Sequence, residues 1–147
     1  MKHFLGALFF LAVTSAFAAM PYLVSNDEMQ ASNAAPLQIV SRTSPARDAP
    51  RIELITPKIP GTVGSPTVID LRFQATSPSN IKPDSFKALY GTFQIDITKR
   101  LLNVAKVTGD GVRVDEASLP KGRHKLLLMV EDTLGRVGHQ AIEFEVN

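Results

Sequence analysis

Apolar and polar positions alternate most clearly at the end of the chain, over Gly122 to Asn147. Ile142, Phe144 and Val146 alternate with Ala141, Glu143 and Glu145. Strict alternation sends one set to each face of a strand, so the apolar set faces a core. Leu126, Leu128 and Val130 are the natural partner set on the preceding run, Arg123 to Glu131. Pairing Leu126 with Ile142 sets Asp132 opposite Arg136 and leaves Thr133-Leu134-Gly135 as a three-residue loop. Such a loop needs φ > 0 at its third position, which glycine accepts at no steric cost. The same register sets Lys125 opposite Glu143, a favourable cross-strand pair.

Upstream, Ile52, Leu54 and Thr56 alternate with Glu53 and Ile55, up to Pro57. In Thr67 to Ala75, Ile69, Leu71, Phe73 and Ala75 alternate with Val68, Asp70, Arg72 and Gln74. Phe86 to Tyr90 reads as a short strand, as do Phe93 to Thr98 and Val112 to Ser118. Leu101 to Val107 is too short to divide between strand and helix. Ser77-Pro-Ser-Asn80, Lys82-Pro83 and Gly109-Asp-Gly111 read as loops. About seven short strands at roughly ten-residue spacing predict an all-β antiparallel sandwich over residues 51–147. No helical period stands out in that region.

The first fifty residues are different. Residues 1–18 predict a signal peptide: Lys2 and His3, the apolar run Phe4 to Val13, then the small-x-small site Ala16-Phe17-Ala18. The run falls short of the ~20 apolar residues of a spanning helix. The expected product is secreted or periplasmic, with no membrane insertion after signal cleavage. Residues 19–50 are rich in Ala, Ser and Pro and predict a flexible, largely disordered leader, with Leu37-Gln-Ile-Val40 as its one strand-like stretch.

Composition narrows the chemistry. The 147 residues contain no Cys, which excludes disulfides, thiolate metal sites and a cysteine nucleophile. The formal charge is +2 with signs interspersed, so no basic block points to nucleic acid.

The region 51–147 resembles the bacterial immunoglobulin-like sandwich domains. The resemblance is carried by the opening strand with Pro57 and Pro60 and by Gly64-Ser-Pro66 before the second strand. It is carried also by the closing Leu119-Pro-Lys-Gly-Arg-His124, Val130-Glu-Asp-Thr-Leu-Gly135 and Phe144-Glu-Val146. The Cys pair and core Trp of antibody-type domains are missing. The resemblance implies a single immunoglobulin-like sandwich that binds or spaces, and not an enzyme.

Tests for chemistry return little. His124 and His139 fall on opposite faces of the hairpin about 17 Å apart, at ~3.3 Å per residue, too far for a shared metal or a base–nucleophile pair. Asp70, Asp96, Asp110, Asp115 and Asp132 occur singly, whereas Ca²⁺ needs six or more convergent oxygens. There is no Trp, and the Phe residues mostly fall on inward positions, so an aromatic platform for glycans is weakly supported. No catalytic residue, metal ligand or cofactor is expected.

One feature stands apart. Leu126-Leu-Leu-Met-Val130 is apolar on both faces. Its outer members Leu127 and Met129, with Val137, His139 and Ala141 opposite, form a candidate interaction patch. The expected function is an exported, non-enzymatic module acting through protein contacts, with a protein partner or self-association. The alternative is a small-ligand or glycan-binding module. A hydrolase lacks a nucleophile–base pair. A pilus-type subunit lacks its own last strand, which is present here.

Overall fold

The computed structural model describes residues 22–36 and 46–147. The expected signal peptide and the Leu37–Val40 stretch lie outside the described residues. Eleven elements follow in order. They are α1 (Asn26–Ala34), β1 (Arg51–Thr56), β2 (Thr62–Val63), β3 (Thr67–Gln74), β4 (Ile81–Tyr90), β5 (Ile95–Asp96), α2 (Thr98–Leu102), β6 (Ala105–Thr108), β7 (Gly111–Ala117), β8 (Gly122–Asp132) and β9 (Val137–Val146). The strands form two sheets, β1-β3-β7-β6 and β2-β9-β8-β4-β5. The fold is an all-β sandwich. All pairings are antiparallel except the two-residue β2–β9 pairing, which is parallel.

The core lies between the sheets. Ile69, Leu71 and Phe73 of β3 and Val112 and Val114 of β7 face Phe86, Ala88 and Tyr90 of β4, Leu128 and Val130 of β8, and Ile142 and Phe144 of β9. These are the inward positions of each alternating run. The hairpin register is the expected one: Leu126 pairs with Ile142 and Lys125 with Glu143. At the turn, the Asp132 N–H donates to the Arg136 carbonyl and the Gly135 N–H to the Asp132 carbonyl. Gly135 has φ +79°, the left-handed conformation the loop requires. The Glu143 carboxylate itself lies 3.6 Å from Arg123, diagonal to the Lys125 it opposes in register.

Four regions differ from the sequence reading. Strand β4 begins at Ile81 and runs through Pro83, where a loop was expected. Its pairing with β8 shifts register between Lys82 and Lys87, and such an irregularity accommodates proline, which cannot donate to the ladder. Ser85 bridges the gap, its hydroxyl accepting from the Glu131 N–H. Second, the expected strand over 93–98 shrinks to Ile95–Asp96, and Phe93 stands 59% exposed in the turn before it. Third, the undecided stretch 101–107 contains both answers, since α2 ends at Leu102 and β6 starts at Ala105.

The fourth difference lies in the expected disordered leader. Within it, residues 22–36 contain α1 and dock on the sandwich. Ser25 caps the helix, its hydroxyl accepting from the Glu28 N–H, while the Glu28 carboxylate accepts from the Ser25 N–H. This reciprocal box satisfies two otherwise orphaned donors. Val24 and Met29, at the two positions of a hydrophobic staple, are both buried. Isolated helices this short are marginal, so burial against the sandwich supplies the rest.

Candidate functional site

The outer face of the β4-β8-β9 portion of the second sheet holds the candidate patch. Register fixes its rows. Leu127 lies between Leu89 on β4 and Ala141 on β9, and Met129 between Lys87 and His139. Val137 opposes Glu131 in the next row. All five expected residues therefore share the face away from the core. Leu127, Met129 and Val137 are half-buried by their neighbours, whereas His139 and Ala141 are exposed. Leu89, also half-buried, extends the apolar row onto a third strand. Sequence reading omitted it because nothing local says that β4 pairs with β8.

Charges frame this apolar centre. Lys82 and Glu131 pair at 2.7 Å at one end, and Arg123 and Glu143 approach to 3.6 Å at the other. An apolar centre with a charged rim is the layout of a contact surface.

A groove adjoins the face. β2 reaches β9 only at Glu145 and Val146, so among the described residues the earlier half of β9 has no strand on that side. Strand β1 passes nearby, and a side chain at Gly138 would collide with the Pro50 carbonyl. Between the two edges lies an open groove of about 680 Å³, lined by Arg47, Arg51, Glu53, Gln74, His139 and Gln140. His139 belongs to both the face and the groove.

His124 is not the surface or rim residue that a lone strand histidine usually is. It is fully buried. Its Nε2 lies 2.7 Å from the Pro120 carbonyl and its Nδ1 2.8 Å from the Tyr90 hydroxyl. A carbonyl only accepts, so Nε2 carries the proton and Nδ1 accepts from Tyr90. Burial lowers the His124 pKa, opposed by the Pro120 carbonyl. Burial, helped by the Glu28 charge, pushes the Tyr90 hydroxyl up to about 12. Both groups are neutral at pH 7 and serve the core.

The aspartates are dispersed, and four of the five have a partner for the carboxylate. Asp70 and Asp115 both contact Arg113. Asp96 accepts from the Thr98 N–H. The Asp110 carbonyl accepts from the Phe73 N–H. Asp132 is fully buried and accepts from the Leu134 and Arg136 N–H groups, the Arg136 Nε and the Ser79 hydroxyl. Burial pushes its carboxyl up, but these bonds outweigh it and hold the group below the ordinary carboxylate value. Among the described residues, no group of three or more His, Asp or Glu is placed to hold a metal ion.

Comparison with known proteins finds likeness among solved structures alone. No family model matches the chain, and no curated protein does. The crystal structure of CopC from Methylosinus trichosporium OB3b aligns with 65% of this chain and 93% of that one, at 19% identity and a TM-score of 0.44. The functional reading therefore rests on the surface itself. Among the described residues no helix is long and apolar enough to cross a membrane.

Proposed function

We propose that this chain is an exported, non-enzymatic immunoglobulin-like module that acts through protein contacts made by the outer β4-β8-β9 face. The observation that carries the reading is the contiguous row Leu89, Leu127 and Ala141 beside Met129 and Val137, framed by charge pairs. The immunoglobulin-like assignment is supported by strand order. Lettering β1, β3, β4, β6, β7, β8 and β9 as A, B, C, D, E, F and G makes the first sheet A-B-E-D and the centre of the second G-F-C, the seven-strand framework of such domains, with the two-residue strands β2 and β5 added at the edges of the second sheet.

The test is Leu127→Ser with Met129→Ser in the full chain. Both side chains are half-buried, so the pair should cost about 1–2 kcal/mol, less than the several kcal/mol of core truncations. The variant should stay folded and lose self-association by sedimentation, or lose partner capture from envelope extract. Unfolding would overturn the face assignment. A folded variant with every contact intact would reduce the patch to ordinary surface.

A second reading, small-ligand or glycan binding, is favoured by the groove. Its arginines, Gln74 and His139 suit a polar ligand, although no Trp, Tyr or Phe lines it for stacking. A glycan array separates the two readings.

A further inference from the structure

We propose that residues 22–36 form an exchangeable strap, and that the mouth they fill is a binding site for the same segment of a second copy of this chain. The site lies at the opposite end of the β8–β9 hairpin from the turn, away from the outer face.

The contacts that dock the segment are non-covalent and aimed at groups on the sandwich. Leu23 and Val24 insert over the core, and the Leu23 N–H donates to the Ser118 carbonyl. Met29 packs where a side chain at Gly122 would otherwise sit. Ser32 is buried and engages Thr92 twice, accepting from its N–H and receiving its hydroxyl at the Ser32 carbonyl, each at 3.0 Å. The Asn33 amide donates to the Arg123 carbonyl. Arg100 of α2 grips Glu28 through both terminal nitrogens, at 2.8 and 2.9 Å. A strap from another copy would satisfy each of these groups equally.

The mouth needs an occupant. Beneath Leu23 and Val24 lies an apolar floor that includes Ile97, Leu101 and Leu119. Uncovered, this floor would be an exposed apolar patch of the kind that recruits a partner. The chain also has the reach. Asn33 sits beside Arg123 and Pro50 beside Gly138. Gly138 pairs with Val130, which places these points about 23 Å apart along the hairpin at ~3.3 Å per residue. Extended, the chain from Asn33 to Pro50 spans up to about 55 Å, so it can serve its own mouth or a neighbour's. Exchange of an identical element is a low-cost route to a dimer.

A charge swap tests this in full-length protein. Glu28→Arg and Arg100→Glu are made in separate chains, in which the pair becomes Arg–Arg or Glu–Glu. Each chain alone should show at least tenfold faster amide exchange over residues 22–36. Circular dichroism should show the sandwich intact. An equimolar mixture restores opposite charges only between chains, at both mouths. It should sediment at twice the single-chain mass and regain much of the protection. Combining both substitutions in one chain should return a protected single chain. The proposal is overturned if either chain alone keeps its strap protected, or if the mixture stays at single-chain mass. Should Glu28→Arg fail to fold, a labelled 22–36 peptide carrying that change replaces it. It should bind the Arg100→Glu chain and not the wild type, and absence of binding overturns the proposal.

Discussion

Glu28→Gln removes the charge that fastens the strap while keeping the side chain's shape. The Glu28 carboxylate accepts from Arg100 and from the Ser25 N–H, and these donors, Arg100 foremost, hold its pKa at about 2 against an ordinary 4.5. A carboxyl whose folded value is depressed stabilises fully above its unfolded value and loses that contribution as pH falls through the folded one. The strap should therefore be fastened above pH 4.5 and loosen progressively towards pH 2. The difference sets a ceiling of about 3 kcal/mol at ~1.4 kcal/mol per pH unit. Solvent takes most of this away, because the Arg100 side chain is 46% exposed, and open ion pairs contribute only ~0.2–1 kcal/mol. Glutamine keeps an oxygen for the helix cap, so the loss belongs mainly to the ion pair. We expect about 1 kcal/mol at pH 7, roughly fivefold more opening.

Hydrogen exchange reads this directly. The Met29 and Ala35 amides bond within the strap, to the Ser25 and Ala31 carbonyls. They should exchange about five times faster in Glu28→Gln, while amides of β3 and β8 keep their wild-type rates. In wild type the same two amides, corrected for intrinsic rates, should lose protection between pH 4.5 and 2. The groups facing Glu28 are Arg100, the Ser25 backbone and, through its field, Tyr90, none of which titrates in that window. Identical exchange in mutant and wild type at pH 7 would refute the reasoning.

Two further predictions concern the sandwich. Gly135→Val should cost more than ~1 kcal/mol because the φ of +79° suits a β-branched residue badly, and Gly135→Asn should cost clearly less, as read from denaturation midpoints. Tyr90→Phe removes the donor to His124 Nδ1 and leaves a buried acceptor unpaired, so thermal unfolding should show a loss of about 1–3 kcal/mol; an unchanged midpoint would mean the ring nitrogen finds another partner.

The hairpin was legible because three local signals agreed: alternation, the glycine at the loop's third position and the length of the loop. Strands β1, β3 and β7 were legible for the same reason, each alternating over a run long enough to read. The strap was missed although Ser25-x-x-Glu28, with Val24 and Met29 around it, is a capping box with a staple. Prolines nearby and the lack of a clear period outweigh that signal. Helix α2 has five residues, too few to show a period. Leu89 could not join the patch from sequence, since its place beside Leu127 depends on a non-local pairing. Alternation puts His124 on the face opposite His139, but its burial depends on Tyr90, 34 residues earlier, arriving with a hydroxyl to satisfy it.

A sandwich without cysteine must close its two ends by other means, and here each end has its own polar device. At the hairpin-turn end, Asp132 is held by Arg136, Ser79 and the turn's own N–H groups, and Arg136 Nη2 donates in turn to the Ser79 hydroxyl. A buried carboxylate left unpaired would cost several kcal/mol, so this network is stable only when complete, and it pins β8, β9 and the loop before β4 together. At the other end the strap does the closing, through an ion pair that water can reach. The two closures thus differ in kind. One joins residues of the sandwich itself, at the start of the β8–β9 turn and in the loop before β4. The other belongs to a separate segment and can open alone. The outer face between them contributes to neither closure. Its half-buried apolar row is the surface proposed for contact, and disrupting that row should leave both ends intact.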